Sequence, residues 1–462
     1  MRHIGLFVRD KSFYRSFFSM TLILALQNVI TFGVNLADNI MLGAYSETAL
    51  SGAAMSNQVQ FLLQMITNGI AAGMIVIASQ YWGKRDTASV KKIFAVAFWL
   101  SLALSAVLTL CSFFAPRGVL GLLTNEKQVI DEGVKYLKII CLSYGFFAVT
   151  NVLLGVMRSV ETVSIAFRVS LIALFVNVGL NYCLIFGKFG FPELGSAGAA
   201  LATLISRAVE LIIVLLYVKF RDKKLRLALR DIFAVKRVFI GDFIKTGLPT
   251  VLSSTSWGVA MAIQGAIIGR LGASAIAASS IATTIFQVVL VVAAGSANSA
   301  CVLTAKTIGT GDIERVKRYA KTLQVLFVII GVLTGLTLFA AKDTTIGFYR
   351  VSEETARLAN QFILVLCVTI VGTSYQMPSL TGIVSGGGET KFVLFNDLIF
   401  MWGIVLPLSA LFAFVVKLPV VAVFACLKSD QVLKCAVAVV KVNRFRWIRH
   451  LTRSSDETPV SS

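Results

Sequence analysis

A chain of 462 residues that is 57% hydrophobic and only 14% charged is too apolar for a soluble globular protein, where about 25% of residues carry charge. Its formal net charge of +20 falls largely in alternate loops and not on a basic face with base-reading or stacking groups, which excludes nucleic acid as the partner. The two histidines, His3 and His450, lie in the tails, and no Ser-His-Asp, HExxH or Walker pattern occurs, so hydrolysis and direct ATP use have no support and no enzyme activity is expected.

Apolar runs of spanning length, ~17–25 residues or more, recur along almost the whole chain. They predict an all-α membrane protein with twelve transmembrane helices, at 16–42, 55–82, 93–115, 133–157, 164–187, 195–219, 243–269, 275–305, 320–341, 357–384, 391–416 and 419–441. The opening RDKSFYRSFF resembles the start of a signal peptide, but the run behind it is too long and no small-residue cleavage site follows, so it reads as a retained first span. Roughly 30 of the 43 Lys and Arg residues then lie on one side, and the positive-inside rule makes that side the cytoplasm, with both termini in it. The expected organisation is an N-lobe at 1–219, a basic cytoplasmic linker at 220–242, a C-lobe at 243–441 and a basic cytoplasmic tail at 442–462. Linker and tail are expected to lie on anionic lipid, the linker in part as an amphipathic helix. The seven cysteines sit mostly inside apolar runs without a CxxC pair and read as small packing residues, neither a disulfide framework nor a metal site.

The first span carries the most informative residue. Asp38 ends an apolar run that also holds Gln27, Asn28 and Asn35. An ionised carboxylate in hydrocarbon costs roughly 2.5–3.5 kcal/mol or more, so it needs a partner or a task; the competing reading puts it in the headgroup region. In the fifth span Asn177 and Asn181 are four apart and share a face, and Thr203 follows in the sixth. Asp38, Asn181 and Thr203 each fall within about eight residues, roughly 12 Å, of their outer helix ends and can meet at one depth. One carboxylate with amide and hydroxyl oxygens suits Na⁺, and a lone buried carboxylate suits a proton carrier. Interhelical bonding alone is the rival account of the asparagines.

On the second span Gln60, Gln64 and Asn68 lie on one face, as if toward a wet cavity, or bond to neighbouring helices. Trp257 and Gln264 in the seventh span and Tyr375 and Gln376 in the tenth would suit lipophilic cations through stacking and cation–π contact, or are packing. Asp397, Lys428, Asp430 and Lys434 in the last two spans, and Arg207 with Glu210 in the sixth, are read as structural ion pairs, with a coupling role the lesser alternative for the former.

The chain also repeats itself. A shift of 226 residues sets DNIMLGAYSETALSGAA against QGAIIGRLGASAIAASS and QYWGKRDTASVKK against KTIGTGDIERVKR, and a small slip then sets GVMRSVET against GIVSGGGET. Six spans per half makes the halves parallel repeats, two pseudo-symmetric six-helix lobes with a transporter's plan and substrate expected between them. The repeat partner of Asp38 is Gln264, so the lobes are chemically unequal.

The stretches VNLADNIMLG, ASQYWGKRD, GVMRSVET, NVGLNYCLIFGKFGFPELGSAGAALAT, the TGLP of the seventh span and AKTIGTGDIERVKR, in this order and spacing, resemble the multidrug and toxic compound extrusion (MATE) transporters. The resemblance implies export of organic cations in exchange for Na⁺ or H⁺, with an N-lobe cation site matching Asp38, Asn177, Asn181 and Thr203. Three departures stand out. Ile23 occupies a position where many members have a first-helix proline, whereas its repeat partner is Pro249; Trp257 and Ser374 stand where some members have C-lobe acids; and Asn181 replaces an Asp found in some relatives.

The expectation is therefore a secondary active multidrug antiporter of the cell membrane, monomeric, using no cofactor, binding no metal beyond Na⁺ at Asp38, and exporting lipophilic organic cations by alternating access. The alternative is a flippase for a lipid-linked oligosaccharide or peptidoglycan precursor, which would need cationic cavity residues such as Arg207, Lys428 and Lys434. A channel or receptor is disfavoured by the two-lobe repeat.

Overall fold

The computed structural model describes residues 7–347, 349 and 351–453, and among these every regular element is helical. The helices are α1 (Lys11–Tyr45), α2 (Glu47–Gly83), α3 (Thr87–Phe114), α4 (Lys127–Ser159, crossed by a 3₁₀ turn at Cys141–Ser143), α5 (Ser164–Phe186), α6 (Ser196–Phe220), α7 (Arg237–Gly269), α8 (Ala273–Gly309), α9 (Ile313–Gly347), α10 (Glu353–Val384) and α11 (Thr390–Val415). Each of these eleven is long and apolar enough to cross a bilayer. The twelfth span, α12, comes in two pieces, Val420–Leu427 and Asp430–Asn443, parted at Lys428 and Ser429. Neither piece alone has spanning length. The predicted spans thus reappear, with the helices running past most of the predicted ends where polar caps continue the winding.

Two compact units result. One gathers Leu26–Ala78 and Thr87–Val251; the other gathers the chain up to Ala25, Ser79–Asp86 and everything from Leu252 on. These compact units are not the sequence repeats, because α1, α2 and α7 each pass from one unit into the other. Within the first unit α2 and α7 touch backbone to backbone. A Cβ on Gly69 would lie 2.5 Å from Val251 Cα, and one on Gly73 would lie 2.4 Å from Gly247 Cα. Gly265 and Gly269, also four residues apart, face open space.

Linker and tail differ from expectation. Between Arg221 and Lys236 the linker forms no amphipathic α-helix, only a 3₁₀ turn at Leu229–Phe233, and from Arg237 on it is already part of α7. Asp222 accepts the backbone N–H of Lys224 and Arg226, a local bond that competes with helix, and Lys91 clasps Asp231 at 2.8 Å and the Arg226 carbonyl at 3.1 Å. Burial works to raise the Asp231 carboxyl, yet the Lys91 ammonium and the Ala228 N–H hold it below its ordinary range. The tail up to residue 453 packs against protein. Trp447 is fully buried, the Arg449 N–H bonds the Gly387 carbonyl, and the buried Gln80 amide bonds both the Arg449 carbonyl and the Leu451 N–H.

Candidate functional site

Three helices of the first unit build the site around Asp38. The sixth helix opens with SAGAALAT, and its small residues let α5 and α6 close on each other: a Cβ on Gly198 would meet the Leu184 carbonyl oxygen at 2.4 Å. That approach brings Thr203 of α6 to Asn177 of α5. Asn177 and Asn181 share one face of α5, and α5 ends in a left-handed cap at Gly187, whose N–H bonds the Cys183 carbonyl. Asp38 lies two turns before the end of α1, Thr203 two turns after the start of α6, and Asn181 within two turns of the end of α5.

A single hydrogen-bonded chain results. Asn177 Nδ2 donates to Thr203 Oγ1 at 3.2 Å, Asn181 Nδ2 donates to Asn177 Oδ1 at 3.1 Å, and the same Asn181 amide donates to Asp38 Oδ1. Asn177, Asn181 and Thr203 are buried, and Asp38 is partly open. One atom is left over. Asn181 Oδ1 is buried and accepts no hydrogen bond, although burying an unpaired amide oxygen costs about 1–3 kcal/mol. An acceptor without a donor, in a cluster headed by a carboxylate, is the chemistry of a site for a small hard cation or a proton.

A cleft of about 30 Å³ adjoins this chain, lined by Asn35 of α1, Asn177 of α5, and Thr203, Ser206, Arg207 and Glu210 of α6 among others. It has room for about one or two waters or a bare ion, not for an organic molecule. Arg207 Nη1 meets Glu210 Oε2 at 2.7 Å, and the guanidinium lies 5.1 Å from the Phe147 ring centroid. The sequence reading treated this pair as structural and left it out of the site. The signal was available: Thr203, Arg207 and Glu210 follow at i, i+4 and i+7 and so share one helix face.

The other predicted positions lie apart from this cluster. On α2, Gln60 and Gln64 are half-buried, and the exposed Asn68 accepts a 3.0 Å bond from Asn151 of α4, the interhelical role. In the second unit Trp257 is exposed, while Gln264, Tyr375 and Gln376 are buried with their polar groups engaged. Gln264 accepts from Lys428 at 3.0 Å, Tyr375 donates to Gln324 at 2.8 Å, and Gln376 donates to Gln431 at 2.9 Å.

An all-helical, multi-pass, internally repeated chain with a polar ion-type cluster inside one repeat defines a membrane transporter. The MatE family model matches residues 24–183 and 249–411, one match in each repeat. The chain is 26% identical over 411 residues to YisQ of Bacillus subtilis (strain 168), an uncharacterized transporter, covering 87% of this chain and 88% of that protein. It is 23% identical over 400 residues to the "Probable multidrug resistance protein NorM" of Listeria monocytogenes serovar 1/2a, covering 86% and 87%. Among solved structures, a multidrug resistance MATE family transporter in an outward-facing conformation superposes with a TM-score of 0.85 at 18% identity, covering 96% of this chain and 98% of that one. The chain belongs to the multidrug and toxic compound extrusion family.

Proposed function

We propose that this protein is a secondary active antiporter that exports lipophilic organic cations in exchange for H⁺ or Na⁺ by alternating access, with Asp38 carrying the coupling ion. The observation that carries the reading is the unsatisfied, buried Asn181 Oδ1 in the cluster that Asp38 heads. With a cation present, Asp38, Asn181 Oδ1 and the neighbouring Asn177 and Thr203 would supply carboxylate, carbonyl and hydroxyl oxygens. With a proton, Asp38 would become a donor and the same cluster would reorient around it. Either change alters the charge of the cluster by one unit, which is enough to favour one conformation of the lobe over another. The multidrug resistance relatives support drug export as the task, and organic cations as the exported class follow from the family resemblance. We place the protein in the cell membrane with both termini cytoplasmic, on the strength of the Lys and Arg asymmetry, and take a monomer as the working unit. A flippase for lipid-linked pyrophosphate would need free cationic groups. Arg207, Lys428 and Lys434 each already face a partner, which favours the antiporter.

The test is ethidium efflux from right-side-out vesicles carrying the protein, with an imposed Na⁺ or proton gradient. Asp38→Asn should abolish gradient-driven efflux while leaving the protein folded. Full efflux by that variant would refute the assignment.

A further inference from the structure

The repeat pairs Asp38 with Gln264, and the second unit shows what has replaced the missing carboxylate. Gln264 is buried, 3% exposed. Its amide donates to Met401 Sδ at 3.3 Å, and its carbonyl accepts the Lys428 ammonium at 3.0 Å. Lys428 reaches this point because α12 is interrupted there: at φ −105°, ψ 0° its backbone is not helical. An offset close to that of the first helices carries Thr203 to Asp430 and Arg207 to Lys434, while Asn177 and Asn181 fall on the apolar Ile404 and Leu408, so the N-lobe cluster has polar counterparts in the first and last helices of the repeat and none in the fifth. In it the carboxylate has moved from the first helix of the repeat to the last.

Charge counting separates the two clusters. In the first unit Arg207 pairs with Glu210 while Asp38 bonds the Asn181 amide, so two carboxylates and one guanidinium leave the cluster one positive charge short when all are ionised. In the second unit Lys434 bridges Asp397 at 2.9 Å and Asp430 at 3.4 Å, Ser253 donates to Asp397 at 2.6 Å, and Gln431 donates to Asp430 Oδ2 at 2.7 Å. Asp430 is 1% exposed and its Oδ1 has no hydrogen-bond partner. Those two carboxylates and one ammonium are also one positive charge short, and Lys428, two residues before Asp430 and bonded to Gln264, carries one further positive charge. Uncompensated charge in a low-dielectric interior costs several kcal/mol, so one cluster needs an exchangeable cation and the other holds its own.

We propose that the Lys428 ammonium is a tethered cation occupying the C-lobe counterpart of the Asp38 site, so that this lobe has no exchangeable coupling ion while Lys428 is present. The inference rests on the antiport reading for the meaning of the N-lobe site. Its test reads binding and needs no transport, so vesicles without gradient-driven efflux would be a separate failure.

The experiment follows the thermal stability of purified protein in detergent, titrated with sodium or methylammonium chloride against choline chloride. The background is Asp38→Asn, which silences the first site. With Lys428 intact, neither cation should raise the melting temperature above the choline control. In Asp38→Asn with Lys428→Ala, a saturable stabilisation by methylammonium or Na⁺ should appear, and adding Asp430→Asn should remove it. Should the alanine variant not fold, Lys428→Gln, which keeps a donor for the Gln264 carbonyl, takes its place. A cation response with Lys428 intact that Asp430→Asn abolishes would overturn the proposal. So would a folded Lys428 variant that responds to neither cation.

Discussion

Arg207 and Glu210 illustrate how a pair can look structural in sequence and still belong to a site. Their side chains are 17% and 11% exposed and 2.7 Å apart, and removing one partner leaves the other charged, buried and alone. That should cost about 3–5 kcal/mol, whereas replacing both should cost much less. Glu210→Gln and Arg207→Gln should therefore each lower the melting temperature more than the double variant does, a result measurable as a double-mutant cycle in detergent. Additive losses would show that the two groups do not depend on each other. The site residues were legible to different degrees. Asp38 announced itself, because a carboxylate in an apolar run is expensive. The pairing of Asn177 with Asn181 followed from helical spacing. The unsatisfied Asn181 Oδ1 was beyond the sequence, since an orphaned atom is defined by neighbours from three helices.

At the scale of elements, the apolar runs located the spans because bilayer thickness dictates their length. They could not show that α12 breaks at Lys428 and Ser429, where the backbone bonds tighten into turns, Ser429 N–H to the Cys426 carbonyl and Gln431 N–H to the Lys428 carbonyl, and the Lys428 side chain meets Gln264 of another helix. The linker failed for a related reason: its charges suggested a lipid-facing helix, but Asp222 and Lys91 tie its backbone down locally. The Lys91–Asp231 contact should then be measurable. Asp231→Asn should let trypsin cut at Arg226 or Arg230 several-fold faster at neutral pH; an unchanged rate would mean the clasp holds nothing. Because the folded carboxyl lies below its ordinary range, its stabilisation is complete above the usual carboxylate pKa, about 3.9, and is lost as pH falls through the lowered folded value. Emission from Trp99, whose indole bonds the Ile232 carbonyl at 2.9 Å, should report that loss in the wild type and not in Asp231→Asn.

For the molecule as a whole, the internal repeat was readable from the sequence and the grouping of helices was not. A 226-residue offset locates corresponding residues, and the two family matches, beginning at 24 and 249, keep to it closely. The compact units nonetheless change over at Ala25 and again at Val251, within α1 and α7, positions related by the same offset. Contacts decide that boundary, and composition carries no trace of them. The tail shows the same limit. Its basic residues suggested a lipid-bound end, while Trp447, buried beside Gly387, makes it part of the second unit's packing. Trp447→Ala should cost about 3–5 kcal/mol and lower the melting temperature markedly, with Trp447→Phe milder.

The most direct test of the account is gradient-driven ethidium efflux in vesicles, compared between wild type and Asp38→Asn with Na⁺ removed and then with a protonophore added. Wild-type efflux should collapse under one of the two treatments, and Asp38→Asn should show no efflux under any of them. Efflux by Asp38→Asn that still follows the ion gradient would contradict it.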